Sequence, residues 1–231
     1  MNIAVLLSGC GVYDGSEIHE SVFVLYHLTR LGHTPICVAP DTEQYHVVNH
    51  RDGSVSDERR NTLTEAARIA RGAIRSIEAL TPGDYDALVI PGGFGAAKNL
   101  TSWAFDGPNA SIRDDVRTLV RTTYQAGKPI VALCMGPTVV AKALEGMDVH
   151  ARLTVGTTTA ASPYDIPAIS SGLTQLGAIA EYVDTTGIIV DNEHRIISAP
   201  CYMMEASIVD VHNNIGMAID ALDDMLATVT P

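Results

Sequence analysis

One thiol, Cys134, stands between a short apolar run at 129–133 and the pair Gly136–Pro137. The run reads as a buried strand and the Gly-Pro pair as the opening of a helix. A cysteine at such a corner meets free backbone amides and the positive end of the helix dipole, which favour the thiolate. The amides of Met135, Gly92 and Gly93 are candidates to hold an oxygen on a carbon attacked by the sulfur. A buried packing cysteine is the competing reading, since free Cys is often found in cores. The strand-end position of Cys134 favours the nucleophile.

A second chemical group sits near the chain start. The stretch SGCGVYDGS, residues 8–16, is a glycine-rich turn. Its glycines are spaced GxGxxxG, one residue longer than the dinucleotide fingerprint, and no Lys-Ser/Thr follows as in a P-loop. Asp14, Glu17 and Glu20 put acid where a phosphate would want cations. Glu20, in the first turns of the helix that follows, can face the sheet edge, with Glu17 and Asp14 as solvated cap acids. A buried glutamate beside a thiol has its pKa raised by desolvation and can hold or pass a proton near neutrality. His19 precedes Glu20 on the same helix, so the two do not face one spot, and the other histidines are scattered. Tyr13, Lys98 and Asn99 are polar candidates for the same crevice. Cys37 reads as core packing. Spacing leaves open whether Cys10 or Cys201 approaches Cys134.

The elements that must position these groups alternate strand and helix. Strands are expected at 2–7, 33–40, 87–90, 129–133, 153–155, 179–182 and 187–197, the last containing a hairpin turn at DNEH. Helices are expected at 17–31, 61–71, 112–126, 137–144, 165–176 and 205–227. On the first helix Ile18, Val22, Leu25 and Leu28 have inward spacing. HRDGSV reads as a small hairpin, and 103–110 as a loop. Strand–turn–helix–strand order predicts an α/β protein with a doubly wound, mostly parallel sheet and a small antiparallel addition. Ligands of such sheets bind beyond the carboxyl ends of the strands. That rule singles out the loops 8–20, 91–100 and 134–137.

The 231 residues suit a single α/β domain with its own core. A formal net charge of −12 argues against nucleic acid and anionic membranes as partners. The four cysteines form no CxxC pair, and no Cys/His cluster has zinc spacing. Residues 1–7 are an apolar strand without a basic leader region, and no apolar run reaches membrane-span length, so a reducing cytoplasm is expected.

The segments LSGCGVYDGSEIHES, VVNHRDG, RNTLTEAARIARG, DALVIPGGFGAAKNL and AGKPIVALCMGPTVVAK together resemble the ElbB family of enhancing-lycopene-biosynthesis proteins. That family lies in the ThiJ/PfpI group of the class I glutamine amidotransferase-like superfamily. The resemblance runs from residue 2 to about the closing helix and loosens after Ala160. It implies one flavodoxin-like domain over 1–231, with Cys134 on a nucleophile elbow and Glu20 bonded to its sulfur. It implies oxyanion amides at Gly92, Gly93 and Met135. It also implies glyoxalase activity without metal, glutathione or nucleotide, turning glyoxal or methylglyoxal into the 2-hydroxy acid, and a homodimer. One departure stands out: where many ThiJ/PfpI members place a triad histidine, this chain reads ARLTVGTTTA, with Gly156 or Thr157 at that place. Slow turnover is therefore expected. The competing expectations are a redox-sensing or regulatory protein linked to isoprenoid metabolism, with Cys134 as the oxidisable group, and a non-catalytic scaffold.

Overall fold

The computed structural model describes residues 1–228. The strands are β1 (Asn2–Leu6), β2 (Thr34–Ala39), β3 (Val47–Val48), β4 (Val55–Ser56), β5 (Ile74–Ser76), β6 (Ala87–Ile90), β7 (Ile130–Leu133), β8 (Arg152–Thr154), β9 (Ile179–Glu181), β10 (Ile189–Asp191) and β11 (Ile196–Ala199). The helices are α1 (Ile18–Arg30), α2 (Thr62–Ile69), α3 (Trp103–Asp106), α4 (Asp114–Gln125), α5 (Gly136–Leu144), α6 (Ile166–Gln175) and α7 (Ile208–Ala227). Seven strands form one sheet in the order β10-β11-β7-β6-β1-β2-β5. All pairs in it are parallel except β10–β11. Helices flank the sheet, as the alternating sequence pattern predicts. The antiparallel additions are β10 and the β3–β4 hairpin over HRDGSV.

The apolar runs explain the layering. β6, β7 and β11 are buried along their whole length. Strands covered on both faces have no polar side to show, so their sequences do not alternate. From β1 the chain winds outward to β2 and β5, then crosses back to β6, β7 and β11. The winding direction therefore switches between β1 and β6, and the loops after β1, β6, β7 and β11 meet at one end of the sheet.

Several elements differ from the sequence expectation. On α1, Ile18 and Val22 are exposed, together with Tyr26, whereas Glu20, Ser21, Val24, His27 and Leu28 are buried. The buried face is set by Glu20, which must reach the strand ends, and by α7, which packs on α1 and receives His27 beside Gly216. The segment 103–110 is no plain loop but α3 followed by a 3-10 turn at Gly107–Asn109. β5 is an edge strand of three residues, IRS, too short to show a period. α7 starts later than expected, at Ile208, because Ser207 and Asp210 cap it reciprocally.

Candidate active site

The corner at Cys134 is built by backbone before side chains. Its amide donates to the Ala199 carbonyl at 2.9 Å, which ties the end of β7 to β11. Its φ of 55° lies in the left-handed region, where a non-glycine residue is strained. Such strain is found where surrounding structure imposes it, most often at functional positions. Gly136 is required by space: a Cβ there would lie 2.7 Å from the Ile90 carbonyl oxygen. Pro137 occupies the first turn of α5, where its missing N–H costs nothing.

Glu20 reaches this corner from α1 and is completely buried. The Gly92 amide donates to its Oε2 at 2.9 Å, and the Tyr202 amide to its Oε1 at 3.3 Å. The Cys134 thiol shares a hydrogen bond with the same carboxyl. One carboxyl thus binds the loops after β6, β7 and β11. Gly92 makes the contact possible: a Cβ on it would sit 2.4 Å from Cys134 Cβ and 2.7 Å from both Cys134 Sγ and Glu20 Oε2. Glu17 caps α1, accepting from the Glu20 amide at 2.7 Å, while its own amide donates to the Gly92 carbonyl at 3.0 Å. Glu17 is therefore a buried cap rather than a solvated one.

Burial dominates the electrostatics. It pushes the Glu20 carboxyl up to about 8, with the Glu17 charge adding to the rise. Burial and then the Glu20 charge push the Cys134 thiol well above its ordinary value, against the pull of the Gly93 and Met135 amides lying at the sulfur. The expected resting thiolate is thus corrected. A helix dipole offers at most about 2 kcal/mol to a nearby charge, and a sulfur only 5% exposed loses more in hydration than that. Both groups compete for one negative charge, so they titrate as a pair. The thiol is protonated at rest and bonded to a carboxyl whose proton is mobile near neutrality.

The other candidates sort cleanly. The Gly92 amide is committed to Glu20, so the free oxyanion donors near the sulfur are those of Gly93 and Met135. Asn99 does not face the pair. Its Nδ2 donates to the Ser8 and Asp14 carbonyls at 2.8 and 2.9 Å, and its Oδ1 accepts from the Tyr45 amide at 2.9 Å. It clamps the glycine turn from below. Asp14 is buried and accepts from the Val48 amide at 2.7 Å, so it anchors the hairpin rather than capping α1. Lys98 donates to the Tyr13 carbonyl at 3.0 Å. His19 stays on the exposed side of α1, 2.9 Å from the Tyr202 hydroxyl. At the place of the missing triad histidine, the Thr157 amide points at the Met204 sulfur, 3.4 Å away. Cys37 is a core residue, its thiol pushed up to about 11 by burial. Cys10 lies near Glu65 and Arg68, and Cys201 is the cysteine that approaches Cys134.

Sequence reasoning missed Tyr164 and Tyr202. Burial, then the charges of Cys134 and Glu20, push the Tyr164 hydroxyl up to about 12, which marks it as a neighbour of the pair. Its ring lies 6.0 Å from that of Phe94. Tyr202 follows β11, and only the β11–β7 pairing, invisible in the sequence, brings it to Glu20. Replacing Asn99 by alanine leaves two buried carbonyls and one amide without partners. Urea unfolding should show a loss of roughly 2–3 kcal/mol; an unchanged midpoint would mean that Asn99 is no clamp.

Comparison with known proteins agrees with this architecture. The chain is 39% identical over 219 residues to the human glutamine amidotransferase-like class 1 domain-containing protein 3, mitochondrial, a match covering 94% of this chain and 80% of that one. It is 37% identical to the rat ES1 protein homolog, mitochondrial, over 94% of this chain and 81% of the relative. The crystal structure of an isoprenoid biosynthesis protein with amidotransferase-like domain from Ehrlichia chaffeensis superposes with a TM-score of 0.88 at 35% identity, over 98% of this chain and 99% of that one. Drosophila melanogaster DJ-1beta shares the fold, with a TM-score of 0.54 at 18% identity, over 99% of this chain and 94% of that one. The pattern of the DJ-1/PfpI family matches residues 10–148, which include Glu20, Gly92 and Cys134, and the chain belongs to that family.

Proposed function

We propose that this protein is a cofactor-independent glyoxalase-like enzyme of the ElbB kind, acting on glyoxal or methylglyoxal through Cys134 and Glu20. The observation that carries the reading is the thiol of a strained strand-end residue bonded to a fully buried carboxyl held at about 8. Cys134 sulfur adds to an aldehyde carbon, its proton passes to Glu20, and Glu20 returns it to the new alkoxide, giving a hemithioacetal. The Gly93 and Met135 amides face the oxygen while it carries charge. Glu20 then removes the hydrogen on that carbon, the adduct's hydroxyl proton passes to the neighbouring oxygen through an enediol, and Glu20 delivers its proton to the neighbouring carbon. The product is a thioester of the hydroxy acid. Water cleaves it, releasing glycolate or lactate and restoring the thiol.

Because Glu20 must be ionised to start the cycle, kcat/KM for glyoxal should rise with pH and level off above about 8. Acid release measured from pH 6 to 9.5 tests this, and a flat or falling profile would remove Glu20 as the base. The near-complete burial of Cys134 favours a second reading, a regulatory protein related to isoprenoid metabolism with little turnover, as the name of the Ehrlichia chaffeensis relative suggests. Absence of acid release at every pH would select it. A homodimer and a cytoplasmic setting belong to the proposal. The exposed ridge Ile18, Val22 and Tyr26 supports the first, and sedimentation equilibrium tests it. The mitochondrial names of the human and rat relatives weigh against the second, and cell fractionation tests it. No helix among the described residues is long and apolar enough to cross a membrane.

A further inference from the structure

The mechanism above leaves Cys201 unused. β11 runs parallel to β7 with Ala199 opposite Leu133. Cys134 and Cys201 lie one and two residues beyond that paired position. Parallel strands sit about 4.8 Å apart, and a disulfide spans Cα separations of about 4.4–6.8 Å. Both residues hold left-handed backbone, with φ of 55° and 48°. Glycine would adopt that conformation at no steric cost, yet each position carries a thiol. Cys201 is fixed on both sides. Its amide donates to Asn214 Oδ1 at 3.0 Å, and buried Asn214 donates in turn to the Gly187 carbonyl at 2.8 Å. The next amide, that of Tyr202, is bonded to Glu20. The Cys201 sulfur is completely buried and lies against the Cys134 amide. Both thiols are free.

We infer that Cys201 is the resolving thiol of Cys134, so that a hydroperoxide switches the site off reversibly through a Cys134–Cys201 disulfide. The inference rests on Cys134 being the reactive sulfur and not on glyoxal turnover. In the first step the Cys134 sulfur attacks the terminal peroxide oxygen and the O–O bond breaks. The thiol proton passes through Glu20 to the leaving oxygen, which departs as water or an alcohol, and Cys134 becomes a sulfenic acid. In the second step the Cys201 sulfur attacks the sulfenic sulfur. The S–S bond forms, the S–O bond breaks, and the hydroxyl leaves as water with the Cys201 proton. Two thiols are oxidised and one peroxide is reduced. The cross-link removes the nucleophile and spares it from the sulfinic state, from which a dithiol cannot recover it.

The test is a non-reducing peptide map with intact mass on the full chain after one equivalent of hydrogen peroxide. The expected result is a mass lower by two hydrogens, one linked peptide pair containing Cys134 and Cys201, and reversal by dithiothreitol. In Cys201→Ala the linked pair should be lost, with dimedone-trapped or sulfinic Cys134 in its place. Cys37→Ala should retain the link. Wild-type Cys134 passing to the sulfinic acid without a linked peptide would overturn the inference. So would a link from Cys134 to Cys10 or Cys37. Because the readout is mass, the disulfide can form in a protein that turns over no glyoxal, which separates failure of the enzyme reading from failure of this one.

Discussion

Glu20→Gln is expected to lower glyoxal turnover by roughly 10²–10⁴ and to abolish the rise of the pH profile toward 8. Glutamine preserves the shape, but its single carbonyl oxygen can accept from only one of the Gly92 and Tyr202 amides while its NH2 faces the other, so the variant must be shown to be folded before the loss is assigned to proton transfer. The same variant has a thermodynamic signature. The folded Glu20 pKa of about 8 lies above its ordinary 4.5, so the folded state holds this proton more tightly than the unfolded chain. The stability that follows is complete below about pH 4.5 and is lost as pH rises through about 8. Thermal melts of the wild type should therefore fall between pH 5 and 8.5, and those of Glu20→Gln should fall less. Equal slopes together with unchanged turnover would show that the carboxyl is neither buried as described nor involved in the chemistry.

The second large effect is expected from Gly92→Ala. Gly92 is not among the residues with left-handed backbone, so alanine meets no conformational barrier there. What it meets is the reacting pair, with its new methyl 2.4 Å from Cys134 Cβ and 2.7 Å from Sγ and Oε2. One of the two side chains must move, and the hydrogen bond between them is the contact at risk. Overpacking of this kind costs about 1–3 kcal/mol in stability. Misplacing reacting groups by an ångström costs on the order of 10² in rate. The expected enzyme is folded, measurably less stable and at least about 10²-fold slower. Gly83→Ala serves as the control, since nothing lies within 4 Å of a Cβ there. A Gly92→Ala protein with wild-type turnover would mean that the pair is looser than described or not used.

Much of this arrangement is legible in the chain because its signals are local. The apolar runs of β1, β6 and β7 announce buried parallel strands, and the glycine loops after them announce close backbone approach. Cys134 before Gly136–Pro137 and Glu20 after the glycine turn are each readable as candidates for the same reason, while their pairing across the sheet comes from the family resemblance and not from either local stretch. What fails is non-local. The register of β11 against β7, which delivers Cys201 and the Tyr202 amide, leaves no mark on SAPCYM itself. Glycines 92 and 93 both look like oxyanion donors in sequence, and only the fold shows that one amide serves Glu20. The apolar spacing of α1 misleads because Ile18 and Val22 are left exposed, while the polar Glu20, Ser21 and His27 are taken inside. Asn99 reads as a crevice ligand because nothing in its neighbourhood reveals that three backbone groups of distant loops already occupy its amide.

The most direct test of the account is acid release from glyoxal by purified wild-type protein, Cys134→Ala and Cys134→Ser, followed by NMR with no cofactor added. Glycolate is expected from the wild type and none above background from either variant, with both variants folded. Glycolate formed by Cys134→Ala at the wild-type rate, or no glycolate from the wild type, would contradict the account.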